Sequence, residues 1–466
     1  MLYGRIIHAN QKCGGTVIKM VDVFSIIDSS SKKLADLGFD DYVITTNRRN
    51  ISQLRFADSQ ITVAKNWASL SLSIYAVKDQ KTVAVDLENI SEDTISSSLE
   101  SLLKLASSMP KNPNYFGISD GPFSYPKIEY LADPDFLDFH DKSVDSVYTA
   151  INASEDEGAK RSAGVLYWNV TERRLISSRG AEAVNNLTGF EFTIRSFVEG
   201  KSSGQGISVG RLHSNIDFEG TGREAGKIAK MSVGGENGKP GTYNVILTPT
   251  VAADIIAQTP AAANPFDVEI GYSWLKDKIG EKIGPDFLTV YDDSLLPDAL
   301  GSKSFDDEGH PTGRNIIVEN GILKGFIHNT STAKKANTTS TGNAGVVYPQ
   351  NSNLFFEPGE HSFDELMEIS KSKPTLYITS NWYTRFTNYI DGIFSTIPRD
   401  GMFLVENSEI AKPVRELRIS DTMLNIFKNI KALGKDLQQI KWWEVYTPTF
   451  IPYVLIEDVN ITAATS

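Results

Sequence analysis

Between residues 51 and 88 apolar and polar side chains alternate in three short runs, LRFADSQITV, LSLSIYAV and KTVAVDL. No other feature limits the fold so tightly. A period of two puts every second side chain on one face of a strand, and the β-branched content with polar breaks predicts antiparallel strands. The pattern returns from 163 to 218 in AGVLYWNV, FEFTIRSFVE and GISVGRLHSNIDF. Between these clusters the period becomes helical. Ser91 is a candidate N-cap with Glu92 and Asp93 in the first turn; Ile95, Leu99, Leu102 and Leu103 follow at helical spacing, and Pro110 closes the segment. Leu137, Val144, Val147, Tyr148 and Ile151 predict a helix over 136–152, and a shorter one is expected near 222–231. Strand clusters with interspersed helices predict an α+β fold built on antiparallel sheets.

The stretch GGENGKPG (234–241) holds only Gly, Pro and polar residues and is the best boundary candidate. It gives two domains, 1–232 and 242–466, the first open to a further division into 1–125 and 126–232. The second half begins with the strand TYNVILT and an apolar helix near 250–262. In NIIVENGILKGFIHN two alternating runs meet at Asn320-Gly321, a pair suited to the positive φ angles of a tight hairpin. A second hairpin is expected at GMFLVENSEIAKPV. A last helix is expected over 421–433, capped by Ser420, with Met423, Ile426, Phe427, Ile430 and Leu433 inward and Gly434 as its stop.

Composition excludes several classes. Acidic residues outnumber basic ones 58 to 46, a formal net charge of -12, and no basic stripe offers itself to nucleic acid. No run approaches the ~20 apolar residues of a membrane-spanning helix. Cys13 is the sole cysteine, so neither a disulfide within the chain nor a thiolate cluster can form. The N-terminus has no sustained apolar run, and the cytoplasm is the expected location.

Several short motifs fail on context. Gly200, Ser202 and Gly204 fit G-x-S-x-G, but a hydrolase elbow needs a strand before and a helix after, whereas both flanks here are strand-like and predict a hairpin loop. The six histidines form no HExxH or other close pair. Asp292, Asp293, Asp306, Asp307 and Glu308, beside His310, could supply oxygen to a hard cation. Their spacing does not fit an EF-hand, and Pro297, Gly301, Gly309 and Pro311 predict a solvated loop whose carboxylates contribute little to stability.

The phrases SKSFDDEGHPTGRNIIVENGILKGFIHN (302–329), AKKANTTSTGNAG (333–345), NLFFEPGEHSFDEL (353–366) and NYIDGIFSTIPRDGMFLVENSEIAKPVRELRISDTMLNIF (388–427) resemble, in order and spacing, the TldD/PmbA (modulator of DNA gyrase) family. LRFADSQITVA resembles that family's N-terminal domain more weakly. The resemblance implies a two-branched ancestry. TldD-type members carry HExxxH on a helix and a cysteine near the C-terminus, which together hold zinc, with the glutamate as general base. Here Ala257, Gln258 and Ala262 stand at the places of the first histidine, the glutamate and the second histidine. The closing stretch IKWWEVYTPTFIPYVLIEDV holds neither Cys nor His. The resemblance is therefore to the PmbA (TldE) branch. It implies a non-catalytic subunit without a catalytic residue, metal or cofactor of its own, paired in the cytosol with a TldD-type HExxxH subunit that brings the zinc, and acting on unfolded peptides. Thr341, Gly342, Asn343, Asn388 and Gly392, polar and glycine positions able to present backbone groups, are the candidate peptide contacts. Two other readings stay open: a metal-dependent hydrolase using the acidic loops at 292–309, and a stand-alone peptide- or protein-binding homodimer.

Overall fold

The computed structural model describes residues 23–88, 90–200 and 202–464; Cys13 and His8 lie outside the described residues. The chain is α+β, with 41% of residues in strands and 24% in helices. Its first half is one antiparallel meander: β1 (Asp41–Ala57), β2 (Gln60–Lys78), β3 (Lys81–Leu87), β4 (Arg161–Ser177), β5 (Glu182–Phe197) and β6 (Ser203–Gly210), ordered β3-β2-β1-β4-β5-β6. The strands run well past the expected segments. Tight turns at Asp58-Ser59 and Asp79-Gln80, all four at positive φ, reverse the chain between β1, β2 and β3.

Strand alternation sorts the sheet into two faces. The even-numbered residues, among them Ile44, Leu72, Leu166, Trp168, Phe190 and Phe192, are buried under four helices. α1 (Val23–Asp36) and α2 (Glu92–Ser108) cover the β1–β3 end, while α3 (Phe136–Asp156) and α4 (Phe218–Met231) cover β4–β6. Ser91 caps α2 as expected, accepting the Thr94 N–H in a capping box that Thr94 completes. Much of the odd-numbered face carries polar side chains and looks toward the second half of the chain.

That second half holds β7 (Glu236–Asn237), β8 (Gly241–Leu247), β9 (Val290–Asp293), β10 (Arg314–Glu319), β11 (Ile322–Leu323), β12 (Leu354–Phe356) and β13 (Thr375–Asn388). These are followed by β14 (Ile393–Glu406), β15 (Glu409–Arg415), β16 (Leu417–Thr422), β17 (Ile430–Leu433), β18 (Gln438–Trp442), β19 (Val445–Ile451) and β20 (Val454–Ala463). One sheet is ordered β11-β10-β9-β12-β19-β18. The other runs β13-β8-β20-β16-β14-β15-β7, and because β13 also pairs with β14 it closes on itself as a ring. Both expected hairpins form: Asn320-Gly321 joins β10 to β11 at φ 51 and 74, and Asn407-Ser408 joins β14 to β15 at φ 53 and 64. The glycine-rich stretch 234–241 is not a free tether, since β7 pairs in parallel with β15. No helix among the described residues is long and apolar enough to cross a membrane.

Two expected helices are corrected. The segment 250–262 is broken into α5 (Pro249–Ile255), capped by Thr248, and the single turn α6 (Gln258–Ala261). Pro260 is the cause. It has no N–H for the Ile256 carbonyl, its ring crowds that turn, and it disfavours helical backbone at Thr259. The expected 421–433 helix shrinks to one short helix, Met423–Lys428, capped by Thr422. Ser420 instead lies in β16 against Thr462, and 430–433 is the strand β17, drawn onto β20. Met423, Ile426, Phe427, Ile430 and Leu433 are nonetheless all buried. Inwardness was legible; the backbone state was decided by the neighbouring strand.

Helices α3 and α4 cross so closely that a Cβ built on Gly222 would stand 2.0 Å from the Ala150 carbonyl oxygen. Gly222→Ala is expected to cost about 1–3 kcal/mol through overpacking, read as a lower urea midpoint at unchanged slope.

Candidate functional site

The odd-numbered face of the first sheet forms the wall of a long cleft. Leu187, Gly189, Glu191, Thr193, Arg195 and Phe197 of β5 follow one another along it, paired across to Thr171, Asn169, Tyr167, Val165, Ala163 and Arg161 of β4. At about 3.4 Å per residue, the wall from Leu187 to Phe197 is about 34 Å long. Three cavities lie along it, of about 430, 480 and 510 Å³. The first two share Glu191 and Lys441, and the second and third share Arg195. The opposite wall comes from β13, β14 and the β18–β19 hairpin. Lys441 Nζ spans the gap to Glu191 Oε1 at 2.7 Å.

The character of the cleft changes along its length. One end is polar, with Thr45, Asn47, Ser73, Asn169 and Thr171 beside Arg49, and its other cations are engaged: Arg173 with Asp307, Lys441 with Glu191 and Arg211 with backbone carbonyls. The middle is aromatic, with Tyr167, Trp382, Trp442, Trp443 and Tyr446. Trp382, Tyr383 and Trp443 meet edge to face, and Tyr446 is 84% exposed. The far end holds Arg161, Arg195, Arg399 and Arg415.

The two walls are held together by polar groups taken out of water. Arg211, at the end of the first sheet, is 5% exposed and gives four of its five guanidinium N–H groups to the carbonyls of Thr188, Ala299, Leu300 and Ser302 at 2.6–2.9 Å. Burial lowers its pKa to about 10, opposed by Asp298, so it stays charged at neutral pH.

The acidic loop is the second joint, and here the expectation of a solvated loop fails. Asp292, Asp293, Asp306 and Glu308 are buried, and Asp307 is mostly so. Asp306 accepts the N–H groups of Glu308, His310 and Ala344, each at 2.9 Å. Asp292 accepts from Ser352 N–H and the Asn343 amide, and Asp307 pairs with Arg173 of β4 at 2.6 Å. Glu308 accepts from Ser119 and from Thr330 N–H. Burial raises both Asp306 and Glu308. Three N–H donors oppose the rise at Asp306, and Glu308 is pushed up to about 8, by burial first and then by the neighbouring Asp306. These oxygens are consumed internally, and among the described residues no three His, Cys, Asp or Glu groups are placed to hold a metal ion. The sequence shows carboxylates next to Gly and Pro; it does not show that backbone N–H groups wrap them.

The positions assigned to the zinc motif lie at the break between α5 and α6. Ala257 and Ala262 are buried, and Gln258 turns its amide back to the Asp254 carbonyl at 3.1 Å. Methyl groups and an amide engaged with backbone do not fit a zinc ion. Thr341, Gly342 and Asn343 form a packed turn. The Asn343 amide donates to Asp292 and the Gln350 carbonyl, while its oxygen accepts from Asn315 and Thr341, so nothing is left for a peptide. Asn388 closes the β13–β14 turn on Asp391, and Gly392, at φ 64, packs on Trp274. The two groups belong to different substructures, and neither lines the cleft.

Sequence reasoning missed Asp254. It is 1% exposed, its Oδ2 accepts from Asn381 and Thr384 of β13, and neither its Oδ1 nor Asn381 Oδ1 has a hydrogen-bond partner among the described residues. Burial pushes its pKa up to about 7, with the Glu444 charge adding to the effect. The one signal in the sequence was an acid inside the otherwise apolar run VAADIIA.

Fold and cleft together define a two-walled α+β protein, and comparison with known proteins gives its family. Residues 133–233 match the PmbA/TldA metallopeptidase central domain and 240–463 its C-terminal domain, together more than half of the chain. The chain belongs to the PmbA/TldD family. It is 32% identical over 204 residues to a metalloprotease of Methanocaldococcus jannaschii, a match taking in 42% of this chain and only 44% of that protein. It is 25% identical over 396 residues to a metalloprotease PmbA homologue of Haemophilus influenzae, covering 80% of this chain and 82% of the relative. The structure of TldE from Thermococcus kodakarensis superposes with a TM-score of 0.81 at 19% identity, covering 94% of this chain and all of that one, which shows the shared fold.

Two measurements check the electrostatics. Asp306→Asn puts an amide donor against backbone N–H groups, and urea unfolding is expected to show a loss of about 2–3 kcal/mol, far more than a solvated carboxylate would contribute. For Asp254 the folded chain keeps a proton that the unfolded chain releases near pH 4. Stability therefore falls as pH rises from about 4 to about 7, and Asp254→Asn is expected to flatten that part of the stability–pH curve.

Proposed function

We propose that this chain is the non-catalytic, TldE-like subunit of a TldD/TldE-type zinc metallopeptidase, working in the cytoplasm on unfolded peptides beside a partner that carries HExxxH. The observation that carries the reading is the filled zinc-motif position. Ala257 and Ala262 are packed shut where ligands belong, Gln258 bonds to its own helix, and Pro260 has broken the helix that has to present them. The whole sequence holds no HExxxH, and no cysteine follows Cys13. The chemistry of the family, a zinc-activated water with glutamate as base, then falls to the partner. This chain contributes the cleft, whose polar sheet face and aromatic middle suit an extended peptide. The division into a 1–232 cleft-wall domain and a 242–466 domain is part of the same reading.

A partner surface is available. Ile270, Tyr272, Tyr389 and Ile390 are exposed together, with the two tyrosine rings 4.7 Å apart and Ile390 packed against Gly271. An apolar patch of this kind on an acidic protein marks an interaction site.

The test is co-expression with an HExxxH-bearing paralogue from the same source. Co-purification, zinc that follows the paralogue, and chelator-sensitive peptide cleavage that needs both chains are expected, with Ile390→Asp weakening the association. Full cleavage by the paralogue alone, or zinc-dependent cleavage by this chain alone, rejects the subunit reading. Self-association without any paralogue contact favours the homodimer instead.

A further inference from the structure

The two ends of the cleft differ in how far their cations are paired. Four arginines, Arg161, Arg195, Arg399 and Arg415, line the cavity of about 510 Å³ at the Phe197 end together with Asp400 and Glu416, whereas at the other end Arg173, Arg211 and Lys441 are all engaged. Two are already engaged. Arg195 pairs with the buried Asp400 at 2.6 Å through Oδ1, to which Ser203 also donates, so this arginine is fixed to the wall by one carboxylate oxygen. Arg161 lies over the Phe197 ring and reaches Asp58 only at 3.5 Å, in an exposed contact that is weak in water. The other two have no carboxylate partner among the described residues. Arg399 lies over the Trp382 ring at the boundary with the aromatic section, and Arg415 follows Val414, where β15 pairs with β7. Positive charge in excess of its counter-ions, set in a concave site with aromatic and proline walls, is suited to a carboxylate. Guanidinium groups take its two oxygens as a pair.

We propose that the arginine end of the cleft is a carboxylate subsite, which orients an extended peptide so that its C-terminal carboxylate lies beside Arg399 and Arg415. The inference rests on the peptide-binding reading above and adds the direction of the chain and the chemistry of its end. The step from Thr193 to Phe197 spans about 13 Å along β5. An apolar side chain three or four residues ahead of the carboxylate then reaches Tyr167, Trp382, Trp443 and Tyr446, and the earlier residues lie along the polar section by Asn169 and Thr171. The same guanidinium groups accept an acidic side chain near the peptide end, a second source of the same chemistry that the experiment separates.

The experiment measures binding of three labelled octapeptides to the full chain by fluorescence anisotropy, with tryptophan emission from Trp382 and Trp443 reporting occupancy of the cleft. All three share one sequence with a Phe four residues from the end. One ends in a free carboxylate, one in an amide, and one in an amide after a penultimate Asp. The free acid is expected to bind roughly tenfold or more tighter than the amide, the size of a charge-assisted contact. The Arg399→Gln/Arg415→Gln pair is expected to abolish that ratio, with affinity for the free acid falling to that for the amide. The advantage of the acid is also expected to shrink in salt. Both arginines are exposed and lack carboxylate partners, so the variant retains its fold. Equal binding of acid and amide overturns the subsite while leaving the peptide reading intact. An acid–amide ratio that survives the double substitution overturns the assignment to these arginines. If the Asp-bearing amide alone matches or exceeds the free acid, the end-carboxylate orientation is wrong. If none of the three binds and the tryptophan emission is unmoved, the peptide reading falls with it.

Discussion

Everything about the cleft depends on how its two walls are joined, and the joint is made of desolvated polar groups. Arg211 is the central one. Its charge is almost wholly out of water, compensated by the carbonyls of Thr188 on one wall and of Ala299, Leu300 and Ser302 on the other. A buried cation satisfied only by carbonyls tolerates very little displacement, because each lost hydrogen bond leaves a charged donor bare in a medium of low polarity. An apolar contact slides; this one does not. The wrapped Asp306 and the Arg173–Asp307 pair repeat the device farther along the same sheet face. The walls are thus set at a fixed separation without filling the space between them.

The strand alternation explains why that space is open at all. Even positions supply two apolar patches, Ile44, Leu72 and Ile74 at one end of the sheet and Leu166, Trp168, Phe190 and Phe192 at the other, and four helices bury them. The odd face changes character along its length. At one end Val43, Leu175 and Ala183 pack on Phe305, which docks the second half of the chain. Beyond that Thr45, Asn47, Arg49, Asn169, Thr171 and Arg173 are polar, and the apolar odd positions that follow, Leu187, Tyr167, Val165 and Phe197, line the cleft itself. The cleft starts where the packing on Phe305 ends.

Most of the secondary structure was legible because it rests on local physics: the period-two runs, the Ser91 cap and the Asn320-Gly321 turn are each fixed within a few residues. What was not legible needed a neighbour distant in sequence. Residues 430–433 read as helix from their spacing, yet β20 offers them a ladder of hydrogen bonds and they become a strand. The acidic loop read as solvent-facing from its glycines and prolines, and those residues instead let the backbone curl around Asp306 so that its N–H groups converge. Pro260 was in plain sight and was outweighed by the apolar run around it. Of the site, the filled zinc-motif positions could be read from the resemblance. The aromatic and arginine sections could not, since Arg161, Arg195, Arg399 and Arg415 are scattered over 255 positions and meet only through sheet register.

The α5–α6 break shows how a helix can keep its place in a core without presenting polar ligands. Thr248 still caps α5, and Val251, Ala252, Ile255 and Ile256 still fill the core, so the packing requirement is met without the polar ligands. A histidine pair there would have to be held open toward solvent; alanine imposes no such demand, and a proline becomes tolerable because no ligand has to be aimed. The same relaxation does not extend to the sheet face across the cleft. Its Thr, Asn and Arg side chains could be exchanged for apolar ones that close the space and stabilise the joint, yet they leave about 34 Å of polar wall exposed between rigid supports. A stability-driven sequence closes such a gap. A wall that stays polar and aromatic between rigid supports is what a binding surface for an extended ligand requires.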